Sequence, residues 1–164
     1  MVAQYVPVDD RTLTELLTLG DDALYDRYVE LEDALYGTAG HYDMDVLWDG
    51  LHFLLTGASA WHPIADDPLS EAIVGVHEVC ADPWLSCLRS EELVLRVAAL
   101  RAVDLDGMLR AVDFQTFADR GVYPAIWTGD PARLKADLAA RFHGLLTAYE
   151  ALLGTGEHVL VQIG

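Results

Sequence analysis

The sequence is poor in cysteine. Its two cysteines, Cys80 and Cys87, lie in the segment CADPWLSC. A structural zinc site made of paired cysteines would need a second pair, so that class of site has no support. The two thiols could close a short disulfide, but an intracellular chain with so few cysteines more often keeps them reduced. We therefore expect free thiols.

Basic residues are also scarce. The chain has 10 lysines and arginines against 27 aspartates and glutamates, a net charge of −17, and its single lysine is Lys135. The negative electrostatic field of such a chain repels phosphate backbones and anionic lipid headgroups, so we expect neither nucleic acid nor a membrane surface as a partner. A protein partner with a basic patch would be attracted by this field. The acidic charge could instead serve only to keep the protein soluble.

Long apolar runs are absent, although hydrophobic residues make up 52% of the chain. Runs such as 53–55 and 93–95 are far shorter than the roughly 20 residues that span a bilayer. The N-terminal segment lacks the basic region and apolar stretch of a secretory signal. We therefore predict a cytoplasmic protein, and its 164 residues suggest a single domain over residues 1–164.

Catalytic and cofactor motifs are missing as well. No serine lies in a Gly-x-Ser-x-Gly elbow, and the Gly-x-Gly at 154–156 precedes a predicted strand rather than a helix, the wrong order for a phosphate loop. Histidines and carboxylates are numerous enough to ligate a metal, but no pair has an established spacing; these are His52, His62, His77, Asp66 and Asp67. We therefore assign no catalytic residue, favour a protein that is not an enzyme, and predict neither a metal nor a cofactor.

What the chain does have is helical periodicity, with apolar residues every three or four positions over most of its length. The final helix has the clearest pattern, from Pro131 at its start to Gly154 just after its end. Other helices are predicted after Asp9 or Asp10, from Asp21 or Asp22 to Gly37, from Ser90, and from Asp104 to Val112.

The two ends of the chain have the composition of β-strands. In residues 2–8, Val2, Gln4 and Val6 alternate with Ala3, Tyr5 and Pro7, a two-residue period typical of a strand. Pro7 would end this strand or confine it to a sheet edge. Residues 158–164 are rich in β-branched side chains. We therefore predict an α+β fold, a mostly helical domain with a small antiparallel sheet that pairs the N- and C-terminal strands and is covered by helices on one face.

The middle of the chain is predicted to alternate between loops and short elements. Residues 37–43 and 58–68 are predicted loops around a helix that contains DVLWDGLHFLLTG, Asp45 to Gly57. A short helix follows from Pro68 through Ile73, and then a strand from Val74 to Val79. The segment CADPWLSC has no clear period and is predicted to be an irregular connection.

The stretch DVLWDGLHFLLTG contains a glycine and a histidine within an otherwise apolar helix. Gly50 costs about 1 kcal/mol of helix propensity relative to alanine, which predicts a close approach by another element. His52 follows Asp49 by three residues and Trp48 by four, so both can reach it across one turn. This arrangement fits either a tuned general base or a histidine held by its neighbours at the edge of the core.

Several of these segments together resemble a known family. LWDGLHFLLTG, then PLSEAIVG, then VDFQTFADRGVYPAIW, followed by the C-terminal helix and strand, resemble the bacterial YfbM-like family, a domain of unknown function. The resemblance spans most of the chain and implies a single α+β domain. It implies no established activity and brings no catalytic residue.

Four residues form the predicted ligand-binding site, because tryptophan and tyrosine offer flat apolar area with a polar tip; they are Trp48, His52, Tyr123 and Trp127. Trp61 and His62 are candidates for the same pocket, although the tryptophans could equally fill the core. The leading hypothesis is a protein-binding module with a basic partner, such as a toxin that it neutralises. The alternative is a small-ligand binder or enzyme with a pocket near His52, Tyr123 and Trp127.

Overall fold

A five-stranded antiparallel sheet forms the centre of the computed structural model, which describes residues 1–164. Its strands are Ala3–Val8 (β1), Tyr42–Asp45 (β2), His77–Cys80 (β3), Trp84–Leu88 (β4) and His158–Ile163 (β5). They lie in the order β2-β1-β5-β4-β3. β1 and β5 pair along their whole length, from Ala3 opposite Ile163 to Val8 opposite His158. The predicted α+β fold with paired terminal strands is confirmed.

The structure has eight helices: Asp10–Leu16 (α1), Asp21–Leu35 (α2), Trp48–Thr56 (α3), Pro68–Val74 (α4), Ser90–Arg101 (α5), Leu105–Ala111 (α6), Phe114–Asp119 (α7) and Pro131–Leu152 (α8). Aspartate side chains accept backbone N–H groups at the starts of five of them, so much of the acidity fixes helix boundaries; the capping residues are Asp9, Asp67, Asp104, Asp113 and Asp130. No helix combines the length and apolarity that crossing a membrane requires.

Helices cover both faces of the sheet, and the prediction of one covered face was wrong. A cluster of 11 buried residues joins Val6 and Leu160 to α1 and α2 on one face. A cluster of 30 buried residues joins Tyr5 and Val161 to the later helices on the other face. All six residues of β5 are buried, as expected for a strand that packs on both sides.

The strand pairing explains how β1 tolerates a proline. β2 pairs only with Ala3, Gln4 and Tyr5, whereas β5 continues to Val8. Pro7 therefore lies where β1 has a neighbouring strand on one side only, a position open to a residue without a backbone N–H. The prediction that Pro7 lies at a sheet edge is therefore confirmed for this end of β1, although β1 as a whole lies between β2 and β5.

Three predictions for the middle of the chain were wrong. The predicted loop at 37–43 contains the start of β2, so α3 begins at Trp48 rather than near Asp45. The helix α4 runs through Val74, and β3 begins only at His77. The segment CADPWLSC, predicted to be irregular, contains the last residue of β3 and most of β4, which pair as a hairpin, and β4 also pairs with β5. Both cysteines are buried and free, in agreement with the expected thiols.

Candidate functional site

Asp49 is a buried carboxylate that joins three parts of the chain. It is 0% exposed, and its Oδ1 accepts hydrogen bonds from Ser59 Oγ at 2.9 Å and from the Ala60 N–H at 2.7 Å. Its Oδ2 accepts from the Tyr123 N–H at 2.8 Å. α3 is thereby tied to the loop that follows it and to the turn at residues 121–124.

His52, one turn further along α3, is also 0% exposed and has both ring nitrogens engaged. Nδ1 lies 2.7 Å from the Ala58 carbonyl oxygen, which can only accept, so Nδ1 carries the proton. Nε2 then accepts from Ser70 Oγ at 2.8 Å, and that hydroxyl in turn accepts from the Ile64 N–H at 2.9 Å. The ring is therefore neutral and fully hydrogen-bonded.

Burial sets the protonation state of His52. Desolvation lowers the pKa of the imidazole, outweighing its hydrogen bond to Ala58 and the charges of Asp49 and Asp67, which act in the opposite direction. No hydrogen bond joins Asp49 to His52, because the ring donates its one proton from Nδ1 to Ala58 and its Nε2 is an acceptor for Ser70. We call Asp49, His52, Ser59 and Ser70 the polar brace.

Gly50 allows the indole of Trp127 to lie directly against α3. A Cβ built on this glycine would overlap the six-membered ring of Trp127. The indole is 3% exposed, and its Nε1 donates to the Val122 carbonyl oxygen at 2.7 Å. Its ring centroid lies 5.8 Å from that of Phe114 and 4.8 Å from that of Phe117. The close approach predicted from Gly50 is confirmed.

An open cleft lies between the loop after α3 and residues 121–128. Its volume is about 380 Å³. Three aromatic rings contribute to its walls, and the lining residues are Met1, Trp61, Ala118, Gly121, Val122, Tyr123, Ala125, Trp127 and Thr128. We call it the aromatic cleft. No carboxylate or histidine lines it, and most of its wall is apolar or aromatic. The one charged group at the cleft is the N-terminal ammonium of Met1, which donates to the Tyr123 hydroxyl at 2.9 Å.

Trp48 lies behind two walls of this cleft. Its ring centroid is 5.5 Å from that of Trp61, edge to face, and 5.9 Å from that of Tyr123. The side chain is 0% exposed, yet its indole Nε1–H has no acceptor. A buried donor without a partner costs about 1–3 kcal/mol, which makes it an unusual feature to find beside a cleft.

Comparison with known proteins agrees with this architecture. Residues 1–162 match the model of a family described as Domain of unknown function (DUF1877). The chain belongs to this family. Protein YfbM of Escherichia coli strain K12 is 29% identical over 167 residues, an alignment that covers 99% of this chain and 98% of YfbM. The crystal structure of YfbM, a protein of unknown function, superposes with a TM-score of 0.80 at 28% identity and full coverage of both chains.

Membership of the DUF1877 family confirms the resemblance drawn from the motifs of α3, α4 and α7, and the match to YfbM confirms the fold. The family description assigns no role to any residue.

The structure divides the four predicted site residues into two pairs. Tyr123 and Trp127 line the aromatic cleft, whereas Trp48 and His52 are wholly buried beside it and present no surface to a ligand. Trp61, also a candidate, has 47% of its surface exposed. His62 does not line the cleft. Binding at this cleft stays a prediction, in which Trp61 is exposed to a ligand and His52 is not.

No three His, Cys, Asp or Glu side chains converge in a way that would hold a metal ion. Of the residues considered for such a site, His77 instead pairs with Glu92 at 2.8 Å, and Asp67 caps α4. His52 is held within the polar brace. These side chains therefore serve separate local roles in the fold.

Proposed function

We propose that the protein is a binding module that holds a basic protein partner, with an apolar side chain of that partner inserted into the aromatic cleft. One observation carries the proposal: Trp61 is 47% exposed at the wall of a cleft of about 380 Å³. Exposed tryptophan in a concave, mostly apolar site is typical of residues that dominate binding energy.

The surroundings of the aromatic cleft favour a preorganised site. Trp61 contacts the ring of Trp48, which is itself immobilised in the core, and Asp49 fixes the backbone of both Ala60 and Tyr123. Both walls are thus anchored to the same helix. A rigid site loses less conformational entropy on binding, which favours affinity.

The net charge of −17 supports a basic partner. A strongly negative surface accelerates encounter with a positively charged protein and disfavours acidic competitors. A small basic toxin that this domain neutralises would have the required chemistry. Because exposed charges are screened by salt, the association should weaken as ionic strength rises.

Affinity capture from extract of the source cells tests the proposal. Three tagged proteins are compared at low and moderate salt: the wild type, Trp61→Ala, and Tyr36→Ala as a control at an aromatic residue that is 70% exposed and does not line the cleft. We expect one basic protein bound by the wild type and Tyr36→Ala, weakened by salt and lost with Trp61→Ala. Equal capture by all three, or no basic protein at low salt, would contradict the proposal.

A further inference from the structure

A second cleft adjoins the aromatic cleft, at the start of α4 and the edge of the β3–β4 hairpin. Its volume is about 360 Å³. Ile64, Val76 and Trp84 supply apolar surface, and three carboxylates also line it; these are Asp66, Glu71 and Glu78. We call it the acidic cleft. It combines an aromatic ring with negative charge, which the aromatic cleft does not.

The charge of the acidic cleft comes from two of its carboxylates. Glu71 forms an ion pair with Arg96 in which both side chains are nearly buried, so its charge is compensated. Asp66 and Glu78 are exposed, and neither forms an ion pair or a side-chain hydrogen bond. No basic side chain lines the cleft. Two uncompensated negative charges therefore face this space.

Trp61 connects the two clefts. It lines the aromatic cleft, and its ring centroid lies 6.3 Å from that of Trp84 in the acidic cleft. Ile64 lies three residues further along the same loop and is 37% exposed. The rings of Trp61 and Trp84 therefore join the two clefts, with free carboxylates in the acidic cleft and the N-terminal ammonium of Met1 in the aromatic cleft.

We propose that the acidic cleft receives an arginine or lysine side chain of the same partner whose apolar residue enters the aromatic cleft. This inference rests on the proposed function and specifies the chemistry of the partner. The cation would lie over the face of Trp84 and between the carboxylates of Asp66 and Glu78, and its aliphatic stem would pack on Ile64. Arginine fits better than lysine, because its planar guanidinium stacks on aromatic rings and is more weakly hydrated.

The distance between the clefts limits how far apart the apolar residue and the basic residue can be in the sequence of the partner. In an extended chain, side chains at i and i+2 point to the same face and lie about 7 Å apart. The rings of Trp61 and Trp84, one at each cleft, have their centroids 6.3 Å apart, a separation of similar size. We therefore expect one to three residues between the apolar anchor and the basic residue.

The four tryptophans allow each cleft to be observed separately by the indole ¹⁵N–H resonances. Nα-acetyl-arginine amide should shift the resonance of Trp84 and leave Trp127 unchanged, whereas the neutral isostere Nα-acetyl-citrulline amide should shift neither. Replacing both free carboxylates, with Asp66→Asn and Glu78→Gln, should weaken the arginine response about three- to tenfold. Asp22→Asn with Asp26→Asn, two exposed sites on α2, removes the same charge and should retain the response.

Linked peptides test whether the two clefts act together. In the series acetyl-Trp-(Ser)n-Arg-amide, with n from one to three, the best spacing should bind at least about tenfold more tightly than either single amide, because the second contact becomes intramolecular. Equal responses to arginine and citrulline amides, or an undiminished response in the Asp66/Glu78 variant, would overturn the inference. Equal affinity of the linked peptides and the single amides would overturn it as well.

The two proposals fail in different ways in this experiment. Nα-acetyl-tryptophan amide should shift the resonances of Trp61 and Trp127. If it shifts neither while arginine amide still shifts Trp84, the proposed function fails at the aromatic cleft. If it shifts both while arginine amide acts no differently from citrulline amide, only the inference about the acidic cleft fails.

Discussion

The polar brace and the aromatic cleft are built on the same helix and loop but differ in what their side chains leave available. Both oxygens of Asp49 and both nitrogens of His52 are engaged, and neither residue is exposed. In the aromatic cleft, Trp61 keeps 47% of its surface in contact with solvent. Groups whose interactions are satisfied within the fold stabilise it, whereas exposed and rigid groups are free to recognise another molecule.

The largest effect that would sharpen this contrast is expected at Asp49. Asp49→Ala leaves the buried N–H of Ala60 and the half-buried N–H of Tyr123 without an acceptor. Each unsatisfied donor costs about 1–3 kcal/mol, so the free energy of unfolding should fall by about 3–5 kcal/mol. Urea denaturation measures the change.

Asp26→Ala is the control for this substitution, because Asp26 is exposed on α2 and makes no side-chain hydrogen bond or ion pair. It should change the free energy of unfolding by less than about 0.5 kcal/mol. If Asp49→Ala were as mild as the control, the polar brace would not be a stabilising element, and its contrast with the cleft would be lost.

A smaller loss of stability is expected at Gly50. In Gly50→Ala, the gain in helix propensity of about 1 kcal/mol is opposed by overlap with Trp127, whose ring is packed against Phe114 and Phe117. Overpacking of this kind costs about 1–3 kcal/mol, and the tightly held ring favours the upper part of that range. Thermal unfolding measures it, with Gly20→Ala, where a Cβ would meet no atom within 4 Å, as the control. A more stable Gly50→Ala protein would show that Trp127 moves freely.

His52 should make the stability of the brace depend on pH. Because burial lowers its pKa in the folded state, its contribution is complete above the unfolded value of about 6.5 and is lost as the pH falls through the folded pKa. The wild type should therefore lose more stability between pH 7.5 and pH 5 than His52→Gln, which has no titrating ring. Parallel curves of unfolding free energy against pH for the two proteins would show that His52 titrates as it does in the unfolded chain.

Sequence patterns were sufficient where one local signal decided the structure. Pro131 and Gly154 marked the ends of α8, and Gly50 indicated the contact that Trp127 makes. Sequence patterns failed where residues distant in sequence determine the local structure. β2 is short and forms a strand only by pairing with β1. The hydrogen-bond partners of His52 are Ala58 and Ser70, which lie outside α3. The spacing of residues within α3 does not reveal them, so the sequence could not predict that His52 is buried with both ring nitrogens hydrogen-bonded.

The smallest effect on stability, and the most informative for the cleft, is expected at Trp61. Since only about half of its surface is buried, Trp61→Ala should lower the free energy of unfolding by about 1–2 kcal/mol, less than a wholly buried tryptophan would. The same substitution should abolish the response of Trp127 to Nα-acetyl-tryptophan amide, because the cleft loses one of its walls. A loss of stability comparable to that of Asp49→Ala would place Trp61 with the brace, as part of the core. A Trp61→Ala protein that stays folded but no longer binds Nα-acetyl-tryptophan amide would show that the aromatic cleft and the polar brace have distinct roles.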